Sequence, residues 1–144
     1  RANAAARAHR LVHQWCSVID WDEKQIWEII KRWRIAPHPC YAAGWNRCSC
    51  AMCIFSLPRH WAGIRELFPD WVSAVEEDER VLGFTLGSRK LLAEYIGNAE
   101  SCVCHDDTKA LTQLTSGTFS VDDVEKEHWT LPTGAFRGAK GGPC

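Results

Sequence analysis

Four cysteines lie close together in the first half of the chain, and their spacing is typical of a metal site. Cys40, Cys48, Cys50 and Cys53 fall within fourteen residues. Thiolates this close can surround one soft metal centre, either zinc or an iron–sulfur cluster. The Cys-x-x-Cys pair turns two sulfurs towards one point, and Cys48 can join them from an extended segment. Cys40 must fold back to reach them, and Gly44 would permit that tight return.

The identity of the fourth ligand is open, because a second group of candidate ligands stands further along the chain. Cys102, Cys104 and His105 lie within four residues, and any of them could replace Cys40. The alternative is a loop that carries free thiols. The remaining histidines that we considered show no ligand spacing, and we expect them to be ordinary surface or core residues: His9, His13, His38 and His128.

Composition predicts one cytoplasmic domain with reduced thiols. The chain has 144 residues, eight of them cysteine and eight tryptophan. No apolar run approaches the ~18–20 residues of a membrane span. The N-terminus lacks the apolar region of a signal peptide. Without a sign of secretion, eight cysteines favour metal ligation over a disulfide framework.

Charge is distributed unevenly along the chain. Residues 1–65 hold ten Lys and Arg against four Asp and Glu, whereas residues 66–144 hold seven against fourteen. The basic half contains the cysteine loop and the run from Lys31 to Arg34. Such a face could contact the phosphates of a nucleotide or of a nucleic acid. The alternative is a solvated helix surface balanced by the acidic half.

Apolar spacing and capping residues predict a mainly α fold with five to seven helices around a tryptophan-rich core. Val81 to Leu86 is the one weak strand signal. We expect residues 1–130 to form a helical metal-binding domain and residues 131–144 a Gly- and Pro-rich tail. The expected helix boundaries are Asp20 with Glu23 as a capping pair, Ser56–Pro58, Pro69–Asp70, Trp71 to Leu82 before Gly83, Ser88 to Gly97, and caps at Asp107 and Ser120.

Several short motifs resemble a known family. They are Val18-Ile19-Asp20-Trp21, Pro39-x-Tyr41, Gly44-Trp45-x-Arg47, Ser49-Cys50-x-x-Cys53-Ile54-Phe55 and Trp129-x-Leu131-Pro132-x-Gly134-Ala135-Phe136. Together they resemble the C-terminal half of the phosphoadenosine-phosphosulfate reductase family. The resemblance is greatest to its phage and prophage branch, which is related to the sulfurtransferases of DNA phosphorothioation. The segment from Cys50 to Phe55 is the most specific part.

The resemblance implies a role in sulfur chemistry beside an adenosine-nucleotide site, with ATP or phosphoadenosine phosphosulfate as the nucleotide. It implies that the chain is the C-terminal part of an α/β adenine-nucleotide α-hydrolase-like protein. The Ser-Gly-Gly-Lys-Asp-Ser-like loop that binds the nucleotide in the family has no counterpart in this sequence, so a missing N-terminal half would supply it. Arg47 and Arg59, with His60 beside Arg59, would face the phosphates, or their N–H groups would instead support the thiolates.

A catalytic thiol is a further expectation. In the family a nucleophilic cysteine lies on a mobile C-terminal tail, and Cys144 is the candidate here, although the Glu-Cys-Gly-x-His-like motif is absent. Cations such as Arg137 and Lys140 would favour its thiolate. The alternative function for the whole chain is a zinc-stabilised nucleic-acid-binding or structural module without catalysis.

Overall fold

The structure is a computed structural model that describes residues 2–5, 10–13, 15–87 and 90–136, and in these ranges the chain is mainly helical. Two short strands, β1 (Ala2–Ala5) and β2 (Arg10–His13), pair antiparallel with Ala2 opposite His13. A 3-10 turn covers Val121–Asp123. The helices are α1 (Glu23–Arg32), α2 (Pro39–Ala42), α3 (Pro58–Leu67), α4 (Pro69–Leu82), α5 (Leu92–Ile96) and α6 (Thr108–Ser116). The prediction of a mainly α fold with a cysteine-rich region is confirmed.

The cap of the first helix lies two residues after the predicted position. Asp22, not Asp20, caps α1, and it forms a reciprocal capping box with Gln25. The predicted apolar stripe is largely exposed, since Ile26, Ile29 and Trp33 all keep much of their surface in solvent. The buried residue of α1 is Trp27, which packs edge-on against the ring of Tyr41. Periodicity therefore placed the helix correctly but selected the wrong face.

Helices α3, α4 and α5 form the centre of the fold. Trp61 and Ile64 of α3 are 1% and 4% exposed, and Val72 of α4 and Ile96 of α5 pack in the same cluster. Pro58 and Pro69 occupy the first turns of α3 and α4, where a missing N–H costs nothing. Among the described residues, three tryptophans are buried: Trp27, Trp45 and Trp61. The expected tryptophan-rich core is thus built from fewer than half of the tryptophans.

The only strand signal that we took from the sequence was wrong. Val81 and Leu82 complete α4, and Gly83 ends the helix with a φ of +69°. The following loop is held by Glu79, a buried carboxylate of α4. Its two oxygens accept from the backbone N–H groups of Leu86 and Leu92, each at 2.7 Å. The expected cap at Ser88 lies outside the described residues, whereas the caps at Asp107 and Ser120 are confirmed.

The first residues of the predicted tail are part of the packed structure. Gly134 donates its N–H to the carbonyl of Tyr41 at 2.8 Å. A Cβ at Gly134 would lie 1.9 Å from the carbonyl oxygen of Trp45, so the two backbones are in direct contact. Phe136 donates its N–H to Glu23 of α1. We call residues 131–136 the closing segment, because it covers the loop that follows α2.

Among the helices of the described residues, none has both the length and the apolar character that crossing a bilayer would require.

Candidate metal centre

The short helix α2 carries the first candidate ligands. His38 is its N-cap and Pro39 its first residue, so these two residues define where the single turn begins. Cys40 lies on the inner face and is 8% exposed. Pro37 and Pro39 keep the approach to the turn extended, as the sequence predicts. The arrangement brings the side chains of His38 and Cys40 to one end of the loop.

Three side chains meet at this point. One ligand atom each of His38, Cys40 and Cys48 lies within 4.8 Å of the other two. This group of one imidazole and two thiols, which we call the His-Cys-Cys group, could hold a metal ion. Cys40 and Cys48 were predicted as ligands from the sequence. His38 was set aside there as an ordinary histidine, and the structure places its ring beside these two thiols.

The return of the chain from Cys40 to Cys48 depends on Gly44. This residue has a φ of +105°, and a Cβ on it would lie 1.9 Å from the carbonyl oxygen of Cys102. Only glycine fits such a turn against another backbone. Trp45 then donates its N–H to the carbonyl of Cys40, and Cys48 donates its N–H to the phenol oxygen of Tyr41. The predicted role of Gly44 is confirmed.

The environment of Cys40 favours its protonated form. Burial raises the pKa of the Cys40 thiol well above its ordinary value, and negative charge on Cys48 raises it further. The pKa of Tyr41 is also raised, mainly by burial. A cation bound between the sulfurs of Cys40 and Cys48 would favour their thiolate forms and release protons from both thiols. Occupancy of this group is therefore expected to increase with pH.

The His38 ring is oriented by its own helix turn. Its Nδ1 accepts a hydrogen bond from the backbone N–H of Cys40 at 3.2 Å. A metal bound at Nδ1 would need that lone pair, and a metal bound at Nε2 would need the proton on Nδ1 instead. Coordination through either nitrogen therefore breaks this hydrogen bond.

The other two predicted ligands lie in the same loop but outside the His-Cys-Cys group. Cys50 is exposed, and Cys53 is half-buried. The Sγ of Cys53 accepts from the Arg47 guanidinium at 3.3 Å, and the same guanidinium contacts the Ser49 hydroxyl. Arg47 thus makes the contact expected of a residue that supports a thiolate, which was one of the two roles considered for it.

The second cysteine cluster packs beside the loop and makes other contacts. Cys102 is buried, and it is one of the groups that raise the pKa of Cys40. The Cys104 thiol donates to Asp106 at 3.3 Å, and the ring of His105 contacts Glu66 at 2.8 Å. Within the described chain, no residue of this cluster belongs to the His-Cys-Cys group.

The segment is nevertheless tied to the metal loop by its backbone. Cys102 donates its N–H to the carbonyl of Arg59, and Cys104 donates its N–H to the carbonyl of Ala43. Arg59 lies beside His60, and the pKa of His60 is lowered to about 4, mainly by burial and also by the Arg59 and Arg47 guanidiniums. The candidate nucleophile Cys144 and its neighbours Arg137 and Lys140 lie outside the described residues.

The sequence around His38 contains a signal that the spacing rules for Cys-x-x-Cys pairs do not consider. The Nδ1 of His38 accepts from the N–H of Cys40, and Pro39 between them has no N–H that could compete for this nitrogen. A His-Pro-Cys run at the start of a helix places the ring and the thiol on the same side of one turn. That local geometry, rather than a ligand motif, is what could have pointed to His38.

Comparison with known proteins gives one distant relative. It is described as an uncharacterized 37.8 kDa protein in the gpa 5' region of Escherichia phage 186. The two chains are 28% identical over 71 residues, which make up 49% of this chain and 21% of that protein. The match therefore spans about a fifth of the relative's length. No protein-family model matches the chain, and no solved structure matches it.

Proposed function

We propose that the chain is the metal-binding helical part of a larger sulfur-chemistry enzyme similar to the phosphoadenosine-phosphosulfate reductases, and that His38, Cys40 and Cys48 hold a single zinc ion. The convergence of these three ligand atoms within 4.8 Å is the observation that carries the proposal. The sulfur chemistry itself rests on the sequence resemblance described above.

The spacing of the ligand atoms favours one ion over a cluster. Zinc binds thiolate sulfur at about 2.3 Å and imidazole nitrogen at about 2.0–2.1 Å, so its ligands must crowd around one point. In a four-iron cluster each thiolate binds a different iron, so the sulfurs must be spread around the cluster. The His-Cys-Cys group has the crowded arrangement and a mixed nitrogen and sulfur donor set, which suits zinc. A bound zinc ion would supply Lewis acidity beside the loop, or a rigid cross-link within it.

Metal analysis together with an absorbance spectrum tests the metal, on protein purified without oxygen. We expect a colourless sample with one zinc per chain. A brown sample with four irons per chain and visible absorbance would show that the single-ion assignment is wrong.

Substitution of individual ligands tests the assignment of residues. The changes His38→Ala, Cys40→Ser and Cys48→Ser should each lower the affinity for zinc more than tenfold, because each removes one of three ligands. Cys16→Ser is the matched control, since Cys16 is an exposed thiol away from the loop. Cys50→Ser and Cys53→Ser decide the fourth position: the variant that loses zinc identifies that ligand. Retention of zinc by all three primary variants would refute the His-Cys-Cys group.

The proposed place in a larger enzyme makes a prediction about nucleotides. The described residues contribute guanidiniums near the loop but no glycine-rich turn that would cradle a phosphate chain with backbone N–H groups. Calorimetry with ATP and phosphoadenosine phosphosulfate should therefore give weak binding to this chain alone, and tight binding once an N-terminal α/β half is supplied. Tight one-to-one binding by the 144-residue chain would mean that the nucleotide site is misplaced.

The alternative is a zinc-stabilised module that contacts nucleic acid and catalyses nothing. The single-ion geometry suits it equally, and its basic half would supply the phosphate contacts. Titration of duplex DNA at two salt concentrations distinguishes the two. Binding that weakens steeply with salt supports the module, and absence of binding in the zinc-loaded protein supports the enzyme part.

A further inference from the structure

A cavity of about 250 Å³ opens beside the cysteine loop, and its walls differ in chemistry. Three of the lining residues are aromatic, and we call them the aromatic wall: Trp45, Phe68 and Trp71. The rings of Phe68 and Trp71 are stacked, with centroids 4.4 Å apart. His60 and Arg47 also line the cavity, together with His38 and Cys40 of the His-Cys-Cys group. A volume of this size suits a molecule smaller than a typical drug-sized ligand.

His60 is the unusual residue of this cavity. It is only 2% exposed, and its Nε2 has no hydrogen-bond partner among the residues that the structure describes. Buried polar atoms are almost always paired, because an unpaired one keeps the full cost of losing water. A residue that lines a cavity and lacks a partner is therefore a candidate for a contact that a ligand completes.

The charges around His60 indicate the kind of atom that would complete it. The guanidiniums of Arg59 and Arg47 both act on the ring, and Arg47 also lines the cavity. Positive charge nearby favours a ligand atom that carries negative charge. An oxygen that accepts from Nε2–H fits this field, whereas an ammonium group would be repelled. The aromatic wall in turn favours a flat ring, since ring–ring contacts stabilise beyond the area they bury.

We propose that this cavity binds a small aromatic carboxylate, with its ring against Trp45 and Trp71 and its carboxylate towards His60 and Arg47. A carboxylate is planar and singly charged, so its transfer into a mainly apolar cavity costs less than that of a phosphate dianion. The cavity borders the proposed metal centre, since His38 and Cys40 also line it, but the contacts proposed for the ligand are with residues outside the His-Cys-Cys group.

Calorimetry on the full chain tests the proposal with benzoate and indole-3-carboxylate as probes, in the presence of EDTA so that no metal contributes. We expect saturable one-to-one binding with a Kd of roughly 10 μM to 1 mM. Benzamide, which has the ring without the charge, and cyclohexanecarboxylate, which has the charge without the ring, should each bind about tenfold more weakly. Equal binding of all four compounds overturns the proposal, and so does absence of binding at 10 mM.

Two variants locate the site. His60→Leu removes the unpaired nitrogen, and it should keep the fold while weakening benzoate binding about tenfold. Trp71→Ala removes a half-exposed part of the aromatic wall and should have a similar effect. Trp33→Ala is the matched control, because Trp33 is exposed at the end of α1 and does not line the cavity. Unchanged benzoate affinity in both cavity variants would show that binding occurs elsewhere.

The remaining outcomes separate this proposal from the metal centre and from the nucleotide. Benzoate binding that appears only after zinc is added would place the carboxylate on the metal and overturn the contact with His60. Adenosine 5'-monophosphate that binds tenfold more tightly than both carboxylates, and loses affinity in His60→Leu, would overturn the assignment of the ligand class. Failure of zinc binding leaves the benzoate result unaffected, because those titrations contain EDTA.

Discussion

At Gly44 the backbone turns with a φ of +105° directly against the carbonyl oxygen of Cys102. Gly44→Ala adds both a strained backbone and a collision that backbone atoms must relieve. We expect it to lower the free energy of unfolding by about 3 kcal/mol or more, measured by urea denaturation. Gly83→Ala is the matched control, since Gly83 has a φ of +69° with open space around it. Its cost should be only about 1 kcal/mol, and equal losses would contradict the steric argument.

His60 should make stability depend on pH. The native ring takes up a proton only near pH 4, whereas an unfolded histidine does so at its ordinary pKa of 6.5. As pH falls from 6.5 to 4, the unfolded chain binds more protons than the native one, so the free energy of unfolding decreases. Each pH unit within this window contributes at most about 1.4 kcal/mol, or up to about 3 kcal/mol in all.

Urea denaturation at pH 7, 5.5 and 4 in EDTA measures this dependence. The control is His60→Leu, which keeps every other titrating group. The difference in stability between the wild type and this variant should change across the window in the stated direction. An identical pH profile for both proteins would show that His60 does not titrate differently on folding.

Residue types near the loop were predictable, but their pairing was not. The close spacing of Cys40 and Cys48 and the turn at Gly44 follow from local chemistry, and the structure brings the first two together. The participation of His38 depends on how one helix turn orients its ring. Cys53 lies outside the group and contacts the Arg47 guanidinium instead. Neither feature is encoded by the spacing of the cysteines alone.

At the scale of elements, Glu79 joins α4 to α5. Its carboxylate accepts two backbone hydrogen bonds at 2.7 Å, one of them from Leu92 at the start of α5. Glu79→Ala would leave a buried N–H at Leu92 without a partner and should lower the free energy of unfolding by about 3 kcal/mol. Asp78→Ala is the control, because Asp78 is exposed on the same helix. Equal melting temperatures for the two variants would contradict this role.

The starts of α3 and α6 and the end of α4 were predictable because each depends on a local signal. Pro58 begins α3, Asp107 caps α6, and Gly83 ends α4 in the left-handed conformation. The start of α4 was predicted less well, because the helix begins at Pro69 and not at the expected Trp71. The strand expected over Val81 to Leu86 failed because its first two residues belong to α4. The exposed stripe of α1 failed for another reason: the helix turns Trp27 towards Tyr41, and period alone does not say which neighbour a face will meet.

At the scale of the molecule, the closing segment should contribute much of the stability around the loop. A chain shortened to residues 1–130 loses the contacts of Gly134 with Tyr41 and Trp45 and the burial of Ala135. We expect its free energy of unfolding to fall by about 3 kcal/mol or more, since the buried Pro132 and Ala135 and the hydrogen bonds donated by Gly134 and Phe136 are removed. A chain shortened to 1–136 keeps these contacts and is the control. Equal stability of the two chains would show that the closing segment contributes little.

The relation of the chain to a larger enzyme was suggested by motifs, and neither the fold nor the distant phage relative tests it. What could be predicted globally was the helical class, because caps and 3.6-residue spacing recur along the chain. In the folded structure, the basic first half and the acidic second half of the chain do not form two fully separate surfaces. Arg34 of the basic half pairs with Glu125 of the acidic half, so one part of the basic run is neutralised by contact.

The backbone hydrogen bond between Gly134 and Tyr41 also implies an order of events during synthesis. Residue 41 leaves the ribosome about ninety residues before its partner, an interval of roughly 5–20 s at ordinary translation rates. During that time Cys40 and Cys48 have been synthesised, whereas the closing segment that will cover their loop has not. A cation captured then binds before Gly134 fixes the loop, whereas one that arrives later meets ligands whose positions are already set. Metal supplied during translation should therefore be incorporated faster than metal added to the completed chain.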